Sequence, residues 1–522
     1  MIISVGLLVY VPVLFNGFVW DDEVVVFQNS NSPLASYYRP VIFAVHSTIY
    51  NLFGPRPFFF HFFQLIFHIT TAVLIFYLFK RFFKETISFF LALIFLVHPA
   101  LVEAVSFVSA IQEVLFTLTG TIGLYLFVIP LKVVDSEASI AQIRREGIQK
   151  VFSATFLLLI ALLMKETAIV FFVLVFCYLV LFKRKQTNIL IYYSTFAVIL
   201  LMAYLLVRFS SGNLYVQGQG LFPIMRVSSA TRLINIPMII LYYTAKFFFP
   251  INLGIAQHWV IKSPNLINFF LPLILEILLF LSAVIYSIKK KNKIFIFFFL
   301  WFLVGLLPHL QIIPLNMTVA ERWLYFPMIG LLGMIGSIMN KSEIRNPKSE
   351  NIIISITIAI IFIFSVRSFV RTLNWRNGLT LFSHDIKKTS SFDLQNNMGV
   401  ELFRVGRYDE AKKYFETSTK LAPYWWVNWN NLGVIYEREK NYQKATEYYQ
   451  KAVDNGQYYL AYENLAKLLI LHGKDQKKTE EFLKKSLELF PKNENLLILF
   501  SAFNREKISP GRPNIYKEIK NY

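Results

Sequence analysis

The first 370 or so residues of this 522-residue chain are dominated by long apolar runs with short polar connections between them. A helix needs about 20 mostly apolar residues to cross the hydrocarbon core of a bilayer. Inside that core every backbone polar group must be hydrogen-bonded within the protein, which leaves helices and closed barrels as the only spanning structures. Apolar runs of this length therefore predict a polytopic, all-α membrane domain.

Eleven of the runs are candidate spans, and several are short enough that the sequence leaves their ends open. They cover residues 2–18, 58–79, 87–97, 105–130, 151–163, 168–182, 189–207, 269–288, 294–307, 323–339 and 352–370. A further run, 234–249, is interrupted by Lys246 and closed by Pro250. The first run is interpreted as a span and not as a cleaved signal, because similar runs follow it.

Composition agrees with a membrane protein, since 56% of the residues are hydrophobic and only 16% are charged. Soluble domains carry about 25% charged residues. This balance excludes a disordered chain, a disulfide scaffold and a collagen-like fibre. The single cysteine, Cys177, excludes an internal disulfide and a cysteine-based metal site. The net charge of +20 is typical of basic cytoplasmic loops, and we expect no nucleic-acid partner.

Basic connections predict the orientation of the helices, because Lys and Arg are retained on the cytoplasmic side. Five connections are basic: Lys80-Arg81 with Lys84, Arg144-Arg145 with Lys150, Lys183-Arg184-Lys185, Lys289-Lys290-Lys291 with Lys293, and Lys341 with Arg345 and Lys348. If all five connections are cytoplasmic, the spans alternate consistently across the membrane only when run 234–249 does not cross it. The chain then has about eleven spans. The N-terminus is then cytoplasmic and the C-terminal region extracytoplasmic, and the short chain favours a prokaryotic plasma membrane.

The same orientation places four charged clusters on the outer face. They contain Asp21-Asp22, the segment from His98 to Glu103, Lys165-Glu166, and Glu321-Arg322. Convergence of four clusters on one side indicates a single site there. The alternative is that each cluster is an independent solvated loop.

The polar C-terminal region repeats every 34 residues. Gly399 and Ala411 recur as Gly433 and Ala445. Small residues are needed where two helices of a hairpin approach closely, and an aromatic residue follows each alanine by four positions, as in the tetratricopeptide repeat. We expect about three repeats with a capping helix at 494–505. The alternative is an unrelated helical bundle with accidental spacing.

The outer clusters contain the residues that could carry chemistry. Three consecutive carboxylates, Asp21, Asp22 and Glu23, raise one another's pKa, and such a group suits a base that takes a proton from a hydroxyl. A plain acidic flank is the alternative. Glu103 and Glu113 are ten residues apart, nearly three helical turns, so they share a helix face. An ionisable group inside an apolar run, such as Glu113, indicates function.

Lys165 and Arg322, at the outer ends of helices, suit a phosphate or diphosphate. A simple Glu–Arg pair or a snorkelling side chain is the alternative. Carboxylates together with His98 would bind a divalent cation, but no ligand spacing requires one. The chain has no glycine-rich nucleotide loop, which disfavours a soluble nucleotide donor.

Six short motifs occur in order along the chain: Trp20-Asp21-Asp22, Tyr38-Arg39-Pro40, His98-Pro99 with Glu103-Ala104-Val105, Lys165-Glu166-Thr167, Ala320-Glu321-Arg322 with Leu324-Tyr325 and Pro327, and Asn374-Trp375. Followed by tetratricopeptide repeats, they resemble the transmembrane and tetratricopeptide-repeat-containing O-mannosyltransferases and their prokaryotic relatives. The resemblance covers most of the chain. It implies a GT-C type glycosyltransferase domain and a polyprenyl-phosphate sugar donor, with no certain cofactor.

The resemblance also implies roles for the acidic residues. Asp21 corresponds to the catalytic base, with Asp22 supporting it. Glu103 and Glu113 correspond to supporting acidic residues. One departure is Ile111, which stands two residues before Glu113 where the family commonly has Arg.

The resemblance assigns contacts with the donor phosphate to three cations: Lys165, Arg322 and Arg39. Three further residues are supporting: His98, Glu166 and Glu321. The implied reaction is an inverting transfer, in which a base deprotonates an acceptor hydroxyl and positive charge stabilises the leaving phosphate. The repeats face the same compartment as the site in this scheme, so we expect them to present an acceptor protein.

These features predict a GT-C-like membrane domain at 1–372, a connector at 373–390, repeats at 391–507 and a tail at 508–522. Its leading function is transfer of a sugar to protein Ser or Thr. One alternative is the same chemistry on a lipid or glycan acceptor. Others are a non-catalytic membrane scaffold that recruits partners through the repeats, and a transporter or flippase, which the scarcity of charged residues within the spans disfavours.

Overall fold

The computed structural model of the chain describes residues 1–28, 39–130, 140–184, 186–210, 220–341, 347–473 and 475–508. Contacts divide the chain into two compact units, Met1–Lys388 and Thr389–Tyr522. Within the described residues there is no β-strand, and the one isolated β-bridge pairs Gln257 with Val319. The predicted all-α class is confirmed.

The described residues of the first unit form sixteen α-helices. They are α1 Ile2–Tyr10, α2 Asp22–Gln28, α3 Pro40–Phe53, α4 Pro57–Phe79, α5 Glu85–Val97, α6 Val102–Ser106, α7 Ile111–Val128, α8 Ile140–Met164, α9 Ile169–Phe182, α10 Thr187–Ser210, α11 Ser229–Phe248, α12 Leu271–Lys290, α13 Lys293–Leu306, α14 Pro327–Lys341, α15 Pro347–Asn374 and α16 Gly378–Asp385. Short 3-10 turns extend or join them at Val11–Phe15, Pro99–Leu101, Val108–Ala110, Glu166–Ala168, Pro223–Arg226, Leu307–His309 and Glu321–Leu324, and a π turn precedes α12 at Leu266–Phe270.

Every one of the eleven predicted spans contains a helix. Among the described residues six helices are long and apolar enough to cross a membrane: Pro57–Phe79, Val108–Val128, Arg145–Met164, Thr187–Ser210, Leu266–Lys290 and Asn351–Asn374. A seventh is the pair Glu85–Val97 and Pro99–Ser106, bent by 51° between the two helices. The other four are shorter apolar helices: Ile2–Phe15, Glu166–Phe182, Lys293–His309 and Pro327–Asn340. The total of about eleven spans stays a prediction.

Run 234–249 forms most of α11, which contains Pro237. This helix is not among the described helices that are long and apolar enough to span. The helix at Pro40–Phe53 begins with a proline, which suits the first helical position because its missing N–H would have no partner there.

Close helix packing in the first unit depends on small residues. A Cβ atom at Gly330 of α14 would lie 2.5 Å from the backbone nitrogen of Phe302 in α13. Only glycine allows this approach, as is common where helices pack in membranes. Phe326 completes the contact by stacking on Trp301, with ring centroids 5.4 Å apart.

Three of the predicted basic connections lie together at one end of the first unit. Arg81 donates from Nη2 to the hydroxyl of Tyr125, 3.3 Å away, at the end of α7. Lys150, in the first turns of α8 beyond the preceding connection, lies within electrostatic range of Arg81 and of Lys183 at the end of α9.

The other two basic connections join them. The backbone nitrogen of Lys84 donates to Asn340 Oδ1 at 3.0 Å, at the end of α14. Asn292, between α12 and α13, donates to Ser337 Oγ of α14 at 2.7 Å. The described helix ends at all five connections therefore lie together, and this end is here called the basic end. The side chains of some of its predicted members lie outside the described part: Arg144, Lys185, Lys341, Arg345 and Lys348.

In the second unit, the residues that the structure describes form three helix pairs followed by one more helix. They are α17 Phe392–Arg404, α18 Tyr408–Leu421, α19 Trp426–Arg438, α20 Tyr442–Asn455, α21 Tyr459–His472, α22 Gln476–Leu489 and α23 Glu494–Ile508. A Cβ at Gly433 would lie 2.4 Å from the Tyr449 ring, which explains the small residue at that repeat position. Asn431 donates to Asn396 Oδ1 at 2.8 Å and so joins the first two pairs.

The aromatic residues at the junction of the first two repeats are packed within the unit. The ring of Trp425 lies 4.8 Å from that of Phe392, measured between centroids. Trp429 stacks on Tyr448 at 5.7 Å and donates from Nε1 to a backbone carbonyl. These contacts stabilise the stack of repeats.

Candidate active site

The loop that follows α1 and its 3-10 turn carries the predicted catalytic carboxylates. Trp20 has a φ of 56°, in the left-handed region that non-glycine residues rarely adopt. Its ring stacks on Phe107, with centroids 5.3 Å apart, and this contact holds the loop against the segment after Glu103. The side chain of Asp21 is exposed and that of Asp22 is fully buried. The two neighbouring acids therefore have different environments.

Asp22 fastens this loop to the start of α7. Its Oδ1 accepts from the backbone nitrogen of Ser109 at 2.7 Å and from the Ser109 hydroxyl at 2.8 Å. Its Oδ2 accepts from the backbone nitrogen of Val19 at 3.1 Å. Burial raises the pKa of Asp22 to about 7 although these hydrogen bonds lower it, and the charge of Asp21 raises it further.

Glu103 and Arg322, 219 positions apart, form a buried ion pair beside the acidic loop. The Glu103 carboxylate accepts from the guanidinium and also from the backbone nitrogen of Arg322 at 3.0 Å. The guanidinium carbon lies 6.0 Å from the centroid of the Trp20 ring and 5.7 Å from that of Phe107. A predicted phosphate-binding cation thus adjoins the loop that carries Asp21 and Asp22.

Glu113 and Lys165 form a second buried pair between α7 and the turn before α9. Burial lowers the pKa of Lys165, and the carboxylate of Glu113 opposes that effect. The Lys165 ammonium also lies 5.6 Å from the centroid of the Phe116 ring. Ile111, at the position where the resembled family commonly has Arg, is 1% exposed and packs in the apolar interior.

Arg39 and Glu166 form a third pair with a two-pronged hydrogen bond. Arg39 donates from Nη2 to Oε1 at 2.7 Å and from Nε to Oε2 at 3.1 Å. Both residues lie within electrostatic range of Lys165, which joins this pair to the second. Tyr38, the neighbour of Arg39 in the motif, lies outside the described residues. Each of the three predicted phosphate-binding cations is therefore paired with a carboxylate that was itself a predicted site residue.

His309, which the sequence reasoning did not select, stands between these pairs. It is buried, and its ring stacks on Trp323 with centroids 4.9 Å apart. It lies within electrostatic range of Lys165, Glu166 and Arg322. Its Nδ1 has no hydrogen-bond partner among the described residues. In the sequence, the signal for His309 was a polar residue directly after Pro308, at the end of an apolar run.

Glu321 belongs to a further buried network. Its Oε1 accepts from the backbone nitrogen of Gly254 at 2.7 Å, and Oε2 has no hydrogen-bond partner among the described residues. Burial raises the pKa of Glu321 to about 8, against the influence of the Arg371 charge. Glu103 acts electrostatically on Glu321, which places this network beside the Glu103–Arg322 pair.

Arg371 and Asp385 complete the network and were also missed. Arg371 donates to both oxygens of Asp385, at 2.6 and 2.8 Å. The Asp385 carboxylate also accepts from the backbone nitrogen of Ile255 at 2.9 Å. Trp375 of the Asn374-Trp375 motif is buried, 5.6 Å from the Arg371 guanidinium carbon and 5.8 Å from the Phe107 ring. An arginine near the end of the last apolar run was the signal in the sequence.

The ring of His98 is hydrogen-bonded to backbone groups and not to these charged pairs. Its Nδ1 accepts from the backbone nitrogen of Ala100 at 3.2 Å, and Nε2 pairs with the carbonyl of Phe247 at 3.0 Å. Both ring nitrogens therefore hold backbone at the bend between α5 and α6. No group of three His, Cys, Asp or Glu side chains in the described ranges is placed to hold a metal ion.

The assembled groups are suited to an anionic ligand beside an accessible carboxylate. Buried cations held by carboxylates keep a fixed position and are desolvated, so their interaction with an incoming phosphate is stronger than in water. The exposed Asp21 is in the same loop as Trp20, whose ring contacts both Phe107 and the Arg322 guanidinium.

Family models for the tetratricopeptide repeat match residues 392–424 and 428–455. The chain is 23% identical over 462 residues to a protein O-mannosyl-transferase of Caenorhabditis elegans, covering 81% of this chain and 62% of that protein. It is 22% identical over 498 residues to the protein O-mannosyl-transferase TMTC3 of Mus musculus, covering 81% of this chain and 51% of that protein. A protein O-mannosyl-transferase of Drosophila melanogaster is 29% identical over 106 residues, which are 20% of this chain and 11% of that protein.

The chain resembles the protein O-mannosyl-transferases. The likeness to the worm and mouse proteins covers four fifths of the chain, and the repeat models match the C-terminal unit. This confirms the resemblance expected from the six motifs and the repeats. The chain spans between half and two thirds of the length of those two O-mannosyl-transferases.

Proposed function

We propose that this chain is an integral membrane glycosyltransferase of GT-C type. It transfers a mannose-like hexose from a polyprenyl-phosphate donor, with inversion, to the hydroxyl of a protein Ser or Thr on the extracytoplasmic face. The similarity to protein O-mannosyl-transferases supports the general class of reaction.

One observation carries the proposal. The acidic loop and the Glu103–Arg322 pair adjoin, with the Arg322 guanidinium carbon 6.0 Å from the Trp20 ring. Transfer from a lipid phosphate needs a base for the acceptor and positive charge for the leaving group within the same small region. This adjacency is what supports the proposal over a plain acidic flank.

The environments of the two aspartates support the division of roles between them. Asp21 is exposed and thus able to reach an acceptor hydroxyl, which makes it the base. Asp22 is buried with three hydrogen bonds to both of its oxygens, so it positions the loop and does not touch the substrate.

The donor phosphate, in this proposal, is bound by Arg322 and Lys165, with Arg39 at the far side. A guanidinium has five N–H groups and an ammonium three, which is more than one carboxylate partner requires. The desolvated cations then stabilise the phosphate as the bond to the anomeric carbon breaks. The repeats present the acceptor segment, since stacked repeats form extended binding surfaces.

The test is transfer of labelled mannose from polyprenyl-phosphate mannose to a Ser- and Thr-containing peptide, with the full chain in proteoliposomes. Asp21→Asn should lower the rate by about 10²–10⁴-fold, the usual contribution of a general base. Asp22→Asn should also lower the rate, because it weakens the hydrogen bonds that hold the loop carrying Asp21 in place. Glu23→Gln changes the adjacent acid, which has no assigned role, and should leave transfer near that of the unchanged chain.

Equal transfer by Asp21→Asn and the unchanged chain would defeat the assignment of the base. Absence of transfer from polyprenyl-phosphate sugars to any peptide would favour the scaffold alternative. The observation in favour of a scaffold is that each of the three cations is already paired with a carboxylate, as in a purely structural ion pair. Transfer to a glycan or lipid and not to peptide would retain the chemistry and change the acceptor.

A further inference from the structure

A second candidate binding site lies at the basic end. There the end of α7, the first turns of α8, the end of α9 and the start of α10 enclose a cavity of about 200 Å³. Its wall includes the side chains of Lys150 and Lys183 together with Gln186. The rest of the wall is mostly apolar, from residues such as Phe127 and Leu179.

The cations at this cavity differ from those of the candidate active site. Lys150 is within electrostatic range of both Lys183 and Arg81. In the described part of the chain, no carboxylate lies within ion-pair distance of Lys150, Lys183 or Arg81. The Lys150 ammonium donates instead to the backbone carbonyl of Ile129. Three close cations repel one another, and an anion in the cavity would remove that cost.

The position of the cavity selects the kind of anion. The cavity is at the ends of membrane-length helices, where phospholipid headgroups lie. Phe176, near the middle of α9, and Ile191, one turn into α10, are exposed apolar side chains, 46% and 59% accessible. A ligand with a phosphate at the cavity and an acyl chain along these helices matches both surfaces. Basic pockets between membrane helices are known to bind lipid headgroups in this manner.

We infer that this cavity binds the phosphate of an anionic membrane phospholipid, with Lys150 and Lys183 as its charged ligands. Two ammonium groups donate charge-assisted hydrogen bonds to the phosphate oxygens, and Gln186 adds a neutral donor. The bound lipid joins the ends of four helices and so stabilises the first unit. The inference rests on the basic end alone and is independent of the proposed transferase chemistry.

The experiment is native mass spectrometry of the full chain extracted from nanodiscs that contain either phosphatidylglycerol or phosphatidylcholine of the same acyl composition. The unchanged chain should retain phosphatidylglycerol and not phosphatidylcholine. Lys150→Gln/Lys183→Gln should lower that retention by about tenfold or more, since each lost charge-assisted bond weakens binding. Lys289→Gln/Lys293→Gln removes the same charge at the same end, away from the cavity, and should retain the lipid.

Glycerol 3-phosphate, added to the detergent-solubilised chain, separates a lipid site from a site for free phosphate. It should neither bind nor raise the thermal unfolding temperature, because it lacks the acyl chains. Equal lipid retention by the two double variants would overturn the inference, and so would equal retention of the two phospholipids. Saturable binding of glycerol 3-phosphate that displaces the lipid would overturn the lipid assignment as well.

Discussion

At the scale of single residues, burial separates side chains that the sequence presents as equivalent. Asp21 and Asp22 are adjacent carboxylates, yet one is exposed and the other is enclosed by Ser109 and Val19. The sequence predicts a cluster of acids but does not state which of them faces solvent. That difference arises only when α2 begins at Asp22 and turns its first side chain toward the interior.

The pKa of Asp22 leads to a pH prediction. Its folded pKa of about 7 is above the value of about 3.9 in an unfolded chain, so the folded state binds the proton more tightly. Stability from this group is therefore greatest below pH 4 and falls as pH rises toward 7, by at most about 4 kcal/mol. Asn cannot ionise, so Asp22→Asn should flatten this part of the profile.

The measurement is the difference in thermal unfolding temperature between the unchanged chain and Asp22→Asn, in detergent, from pH 4 to pH 8. As pH rises, the unfolding temperature of Asp22→Asn should increase relative to that of the unchanged chain, and this relative increase should be complete above pH 7 to 8. Glu23→Gln serves as the control. Parallel profiles for Asp22→Asn and the unchanged chain would show that Asp22 is not buried in this way.

The buried Glu103–Arg322 pair allows stability to be separated from function. Glu103→Gln should destabilise the chain by about 3–5 kcal/mol, because it leaves a buried guanidinium without its counter-charge. Glu103→Leu/Arg322→Met removes both charges and should recover most of that loss. The double variant should have no transfer activity, although its stability is recovered, if Arg322 binds the donor phosphate. A double variant with full activity would contradict that role.

At the scale of helices, the apolar runs and the repeat period predicted elements well because both signals are local. Each of the eleven runs contains a helix, and the break at His98-Pro99 occurs where proline prevents continuation of α5. Element ends were less well determined, since several helices extend beyond the apolar run into residues that are stabilised by neighbours. Thr187–Ser210 exceeds the predicted 189–207 at both ends.

The glycine at the closest point of the second repeat gives a prediction for this scale. Gly433→Ala adds a methyl group 2.4 Å from the Tyr449 ring, and overpacking of this kind costs about 1–3 kcal/mol. Hydrogen exchange of the full chain should become faster in α19 and α20. Gln450→Ala, an exposed substitution in the same repeat, should leave exchange unchanged. Equal protection in both variants would contradict the packing.

At the scale of the whole molecule, the five basic connections share one end, while the predicted site pairs involve other helix ends. Segregated charge of this kind is what the positive-inside rule requires. With Cys177→Ala as background, a cysteine at Gln450 should react with an impermeant thiol reagent in intact cells. A cysteine at Lys289 should react only after lysis, and the opposite pattern would reverse the predicted orientation.

The sequence by itself determined the helical class, the apolar segments, the repeats and the residues of the charged clusters. These follow from patterns within one segment, namely hydropathy, period and proline position. Only the tertiary structure decided which charges meet, such as Glu103 with Arg322 and Lys165 with Glu113, and it added His309, Arg371 and Asp385. The physical reason is that ion pairing between residues 52 to 219 positions apart depends on how helices pack, and no local pattern encodes that packing.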